Sequence, residues 1–109
     1  MDIEIRDYKG MKVIAPSGEI DMHSSPELRK ILMQFVNEKA PVLFVDFKGV
    51  EYIDSSGIAT FVEGLKGMMP YGGKLKFLHI PEGIMEIFSF SKLDKVFEIY
   101  VNINDAFKG

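Results

Sequence analysis

The sequence predicts a single α/β domain over residues 1–109, with a mixed, mostly parallel sheet of four to five strands packed against three to four helices. Three observations lead there. The chain has 109 residues, of which 47% are hydrophobic and 27% charged, the size and balance of one domain around one core. After an initial hairpin, stretches of strand period alternate with stretches of helical period, the signature of layered crossovers. Val42-Leu43-Phe44-Val45-Asp46-Phe47 is a nearly continuous apolar run, the pattern of a central strand covered on both faces.

The elements follow in order. Ile3 and Ile5 alternate with Asp2, Glu4 and Arg6, Lys9-Gly10 supplies a turn, and Met11-Lys12-Val13-Ile14-Ala15 resumes a strand, which reads as a hairpin. After Gly18-Glu19-Ile20-Asp21 comes a helix start in one of two registers: Ser24 with Glu27 as a capping box, or Ser25 followed by Pro26 at the first helical position. Leu28, Ile31, Leu32, Phe35 and Val36 then follow an i, i+3, i+4, i+7, i+8 stripe, and Pro41 opens the central strand. Ile58, Phe61, Val62, Leu65 and Met68 or Met69 form the stripe of a second helix. Gly64 and Gly67 lie inside it, each costing about 1 kcal/mol relative to alanine, so tertiary packing must hold it. Pro70 and Gly72-Gly73 end it. Leu75, Phe77 and Ile80 fit another strand, Pro81-Glu82 opens a helix carrying Ile84, Ile87 and Phe88 on one face, and Phe97–Val101 fits a last strand. Asn104-Asp105 is the expected cap of a final turn.

Composition excludes several function classes. No apolar run approaches the ~20 residues that span a bilayer, and the amino terminus lacks the basic start and apolar stretch of a signal peptide. No membrane association is expected, and the cytoplasm is the expected compartment. The absence of cysteine removes disulfides, thiolate metal sites and cysteine nucleophiles. Thirteen basic and sixteen acidic residues give a net charge of −3 with the lysines scattered, so nucleic acid is not an expected partner.

The segment Asp54-Ser55-Ser56-Gly57-Ile58 carries the most information, because it places two hydroxyls and a carboxylate where a buried strand passes into a helix. Asp54, Ser55 or Ser56 can accept hydrogen bonds from the orphan N–H groups of the first turn. Gly57 allows close approach to the backbone. Capping alone implies no function, and it is the default reading of these residues taken by themselves. A helix N-terminus also carries about half a positive elementary charge, so a phosphate on a serine there meets a favourable field. The same phosphate brings about −1.5 to −2 charges, enough to repel a partner docked against a neutral hydroxyl.

Other chemistry is weaker. Asp54 and the serines sit too close along one turn to act as base and nucleophile, and no histidine lies nearby in sequence, so no catalytic residue is assigned. His23 and His79 cannot by themselves hold zinc, and no metal is expected. Met68, Met69 and Met85 read first as core residues. Asp21 and the Gly72-Gly73 pair read first as loop and turn, and no glycine pair has the lysine and spacing of a phosphate-cradling loop. No cofactor is expected.

Three segments in register, Gly18-Glu19-Ile20-Asp21, Asp54-Ser55-Ser56-Gly57-Ile58 and Lys92-Leu93-Asp94-Lys95-Val96-Phe97, resemble the STAS domain over nearly the whole chain. More specifically, the chain resembles a bacterial anti-sigma factor antagonist. The resemblance implies a non-enzymatic partner-switching module that regulates transcription. Unphosphorylated, it sequesters an anti-sigma factor that is a serine kinase, and so releases a sigma factor. The kinase phosphorylates it from ATP, and a separate phosphatase restores it. By motif position the acceptor is Ser56, with Ser55 second. Asp21, Asp54, Ser55, Ser56 and Gly57 are the expected partner-binding residues. The chain departs from the pattern at Phe90-Ser91-Lys92-Leu93, where the family commonly has glycine, and in a terminal helix that is short after Ala106-Phe107. Two alternatives stay open: a STAS subunit of a lipid-transporting ABC complex or stress-signalling scaffold, and a small-ligand binder using the helix N-terminus as an anion site.

Overall fold

A computed structural model describes all residues, 1–109. Strands β1 (Asp2–Tyr8) and β2 (Met11–Ile20) form the expected antiparallel hairpin. Lys9 and Gly10 both take positive φ, 51° and 85°, the geometry of the two-residue turn whose twist matches the flanking strands. β2 then serves two further neighbours on the edge opposite β1. Lys12–Ile14 pairs in parallel with β3 (Val42–Asp46), and Ser17–Ile20 pairs in parallel with β4 (Gly49–Ile53). Beyond β3 the sheet continues in parallel through β5 (Lys74–Leu78) and β6 (Glu98–Tyr100).

The sheet therefore has six strands, and β4 is the one that four to five strands did not include. Glu51 and Tyr52 are exposed and β4 pairs only with β2, so it lacks the two-sided apolar run that reveals β3. β5 stops at Leu78, before Ile80, because His79 takes a left-handed φ of 54°.

Period-two alternation sends side chains to both faces. Leu43, Val45 and Phe77 point toward helices α1 (Ser25–Asn37), α2 (Ser55–Met68) and α3 (Glu82–Phe90), where Leu28, Leu32, Phe61, Met68 and Phe88 meet them in the main core. Val13, Phe44 and Leu78 point the other way, under α4 (Ile103–Lys108). The cap of α4 is Asn102, whose Oδ1 accepts the Asp105 N–H at 2.9 Å, two residues before the expected Asn104. Met68 belongs to the core as read from the stripe, whereas Met69 lies in the short 3-10 turn after α2 and is exposed. No helix is long and apolar enough to cross a membrane.

α1 and α2 lie close together because glycine lines the contact. A Cβ on Gly64 would come within 2.5 Å of Leu32 Cδ2, and one on Gly67 within 2.8 Å of Val36 Cγ1. The helix-propensity penalty of these glycines is thus offset by packing that no larger residue permits.

One polar cluster fixes the passage from β3 into β4. The Asp46 carboxylate accepts from Arg6 Nη2 at 2.6 Å and from the Lys48 N–H at 2.9 Å, and meets His79 Nδ1 at 3.0 Å. Burial pushes this carboxyl upward, but the Lys48 N–H, His79 and Arg6 more than offset it, and the net shift is below the ordinary 3.8. A carboxyl lowered in the native state stabilises the fold above its unfolded value and loses that contribution as pH falls through the native value. Asp46→Asn is expected to cost about 1–3 kcal/mol at neutral pH. In urea unfolding followed across pH, that gap should narrow below pH 3.8; a gap independent of pH would contradict the assignment.

Candidate functional site

The site is built where β4 hands over to α2. Ile53 is buried, and the following Asp54 N–H donates to Ile20 O at 3.1 Å, tying the end of β4 to the end of β2. Asp54 itself is extended, with φ −109° and ψ −173°, and caps α2. Its Oδ1 accepts the Ser56 N–H at 2.9 Å, the Gly57 N–H at 3.3 Å and the Ser56 hydroxyl at 2.5 Å. The backbone N–H of Met22, in the loop between β2 and α1, adds the smallest of the lowering influences on this carboxyl. These donors, the Ser56 hydroxyl foremost, hold the Asp54 carboxyl below its ordinary value, as expected when donors favour the charged form.

The β2–α1 loop is ordered by a second aspartate. Asp21 Oδ1 accepts the N–H groups of His23 at 2.9 Å and Ser24 at 3.0 Å, and the Ser24 and His23 N–H groups lower its pKa. The Ser24 hydroxyl accepts the Asp21 N–H at 2.9 Å and donates to Glu19 O at 2.8 Å. It is thereby unavailable to cap α1, so the capping-box register does not form, and α1 begins with proline in its first turn.

The five residues expected at the site separate into distinct roles. Asp21 and Asp54 lie on adjoining segments joined by the bond from the Asp54 N–H to Ile20 O. Ser55 is exposed and stands outside the hydrogen-bond network, whereas Ser56 is half-buried with its hydroxyl committed to Asp54. Gly57 is a correction. It is buried and faces inward, where an added Cβ would come within 2.7 Å of both Ile20 Cγ2 and Ile53 Cγ1. The close approach that its missing side chain permits is to the core, not to a partner.

Two features escaped the sequence reading. Met22 is 70% exposed, and a shallow depression beside it is lined by Glu19, Asp21, His23, Glu27 and Glu51. The signal for Met22 was an apolar residue set among turn-forming polar ones. The acidic grouping joins β2, α1 and β4, and only the fold brings these together.

This arrangement, an exposed serine at the first turn of a helix beside an ordered acidic loop on a mixed sheet, defines a class. The STAS domain model matches residues 2–106, and the chain belongs to the STAS domain family. It is 28% identical over 99 residues to the anti-sigma-B factor antagonist of Bacillus subtilis strain 168, covering 91% of this chain and 90% of that protein. Its fold matches that of an anti-sigma factor antagonist from Mycobacterium paratuberculosis with a TM-score of 0.84 at 24% identity, over 98% and 91% of the two chains. It also matches the Bacillus anti-sigma factor antagonist SpoIIAA, with TM-scores of 0.76 at 16% identity for its unphosphorylated form and 0.75 at 17% for its phosphorylated form. The matches cover 98% of this chain in both cases, and 96% and 98% of SpoIIAA.

The wedge of Gly57 between two β-branched side chains yields a stability test. Gly57→Ala adds helix propensity worth about 1 kcal/mol but overpacks stiff neighbours, and a net loss of about 1–3 kcal/mol is expected. Gly83→Ala, on α3 with open space around it, is expected to gain up to about 1 kcal/mol. Urea midpoints of both variants check this, and a stabilising Gly57→Ala would contradict the packing.

Proposed function

We propose that this chain is an anti-sigma factor antagonist, a binding module controlled by phosphorylation of the Ser55-Ser56 pair. Without phosphate it holds an anti-sigma factor that is also a serine kinase, and a sigma factor is freed for transcription. With phosphate it lets go, and a phosphatase resets it. The observation that carries this reading is the exposed hydroxyl at the first turn of α2, next to the loop that holds Asp21 and Met22. Membership of the STAS family and the names of the curated relatives support it.

The geometry favours Ser55 as acceptor and Ser56 as its neighbour, which reverses the order read from the motif. The Ser55 side chain is open to an approaching γ-phosphoryl group. Phosphorylating Ser56 would instead remove the hydroxyl donor that holds Asp54 at 2.5 Å and bring a dianion close to its carboxylate, where like charges repel. Asp54 remains with Asp21 and Ser56 in the partner-facing set, as the groups that order that surface.

The chain acts here as a substrate and not as an enzyme. Transfer of the γ-phosphoryl group requires a base for the serine proton, and Asp54, lowered in pKa and already surrounded by donors, is a poor one. The base, the nucleotide and its metal therefore belong to the kinase. Release follows from the same chemistry. The new dianion faces the phosphates of the spent nucleotide and an interface that had closed over a neutral hydroxyl, so repulsion and desolvation both oppose retention. Such a cycle operates in the cytoplasm, where ATP and sigma factors are found.

The test is incubation with ATP and the anti-sigma kinases of the same genome, followed by mass spectrometry of the peptides. A single phosphate on Ser55 is expected, abolished in Ser55→Ala and retained in Ser56→Ala. Phosphate on Ser56 restores the original order of the pair, and no phosphate on either serine with any such kinase overturns the proposed function.

A further inference from the structure

Met22 is one of two strongly exposed methionines, and the one beside the first turn of α2. Met68 is fully buried, whereas Met22 is 70% exposed although its backbone is fixed. Two residues before it, Ile20 O accepts the Asp54 N–H, and on its other side the Asp21 carboxylate closes the turn over His23 and Ser24 while Asp21 O accepts the Ser25 N–H. The loop thus presents an apolar, unbranched thioether to solvent at a defined position beside the acceptor turn. An exposed methionine on a fixed loop is suited to enter an apolar recess of a partner, because its flexible end adapts while its root is held. Burying such a side chain corresponds to roughly tenfold to a hundredfold in affinity.

We propose that Met22 is the apolar anchor by which this surface grips the anti-sigma kinase, and that oxidation of its thioether detaches that partner independently of serine phosphorylation. This rests on the functional reading above. The oxidant is a peroxide. With hydrogen peroxide, the sulfur lone pair attacks one oxygen, the O–O bond breaks as the sulfur–oxygen bond forms, and the proton on the attacked oxygen passes to the departing hydroxide, which leaves as water. Sulfur is oxidised by two electrons and the peroxide is reduced. The sulfoxide is polar and must be desolvated to re-enter an apolar recess, so the grip is lost until a methionine sulfoxide reductase restores it.

The experiment measures binding of the full-length chain to the kinase that phosphorylates it, before and after hydrogen peroxide, with mass spectrometry locating the sulfoxide. ATP is left out throughout, so that phosphorylation plays no part. Oxidation at Met22 is expected to weaken binding about tenfold or more, and reductase treatment to reverse it. Met22→Ala should bind about tenfold or more weakly, and the affinity of Met22→Leu, whatever its value, should not change with peroxide. Met69→Leu, which removes a second exposed methionine (64%) from the far end of α2, should remain as sensitive as the parent. An oxidised Met22 that binds undiminished, or a Met22→Leu chain that is still sensitive, overturns the proposal. An untreated chain that binds no such kinase overturns the functional reading and this inference with it.

Discussion

A single carboxylate organises the functional end of this molecule. Asp54 caps α2, holds the Ser56 hydroxyl at 2.5 Å and donates its own N–H to Ile20 O, at the root of a loop more than thirty residues earlier in the chain. Without those bonds the start of α2 and the root of the loop would be free to move independently. With them, the exposed Ser55, the fixed root of Met22 and the turn closed by Asp21 form one ordered surface. The preference for ionised Asp54, visible in its lowered pKa, has the same origin, because each donor favours the charged form.

The rest of the fold serves to bring Asp54 to that place. The Asp46 cluster turns the chain out of β3, β4 runs along the second half of β2, and the Asp54 N–H closes the last rung on Ile20. Gly57 then lets α2 settle against Ile20 and Ile53, and Gly64 and Gly67 let it lie close to α1. The serines are therefore held from behind by stiff, fully buried residues. A site that must present one hydroxyl to an enzyme gains from a rigid base, since less ordering entropy is then lost on docking.

Much of this was legible in the sequence. The continuous apolar run at 42–47, the helical stripes and the Lys9-Gly10 turn encode their elements locally, by period and by turn chemistry. The start of α2 was legible because aspartate and serine at a strand–helix junction are strong caps, and Asp54 caps it. β4 was not legible, since Glu51 and Tyr52 face solvent and the strand is defined by its pairing with β2, a contact distant in sequence. Ser24 misled because its hydroxyl finds Glu19 O and the Asp21 N–H, partners that exist only once the loop closes. The different surroundings of Ser55 and Ser56 needed side-chain geometry, because both are equally good caps on paper and only the Ser56 hydroxyl is bonded to Asp54. Gly57 was read as open to partners because a missing side chain does not say which side is crowded.

The decisive comparison is between two forms of the chain that differ by one phosphoryl group. Isothermal titration of the anti-sigma kinase into the bare and the enzymatically phosphorylated chain measures directly whether that group controls association. A switch at the first turn of α2 requires tight binding to the bare form and a loss of at least about a hundredfold, some 2.7 kcal/mol, on phosphorylation. Equal affinity for the two forms would contradict it.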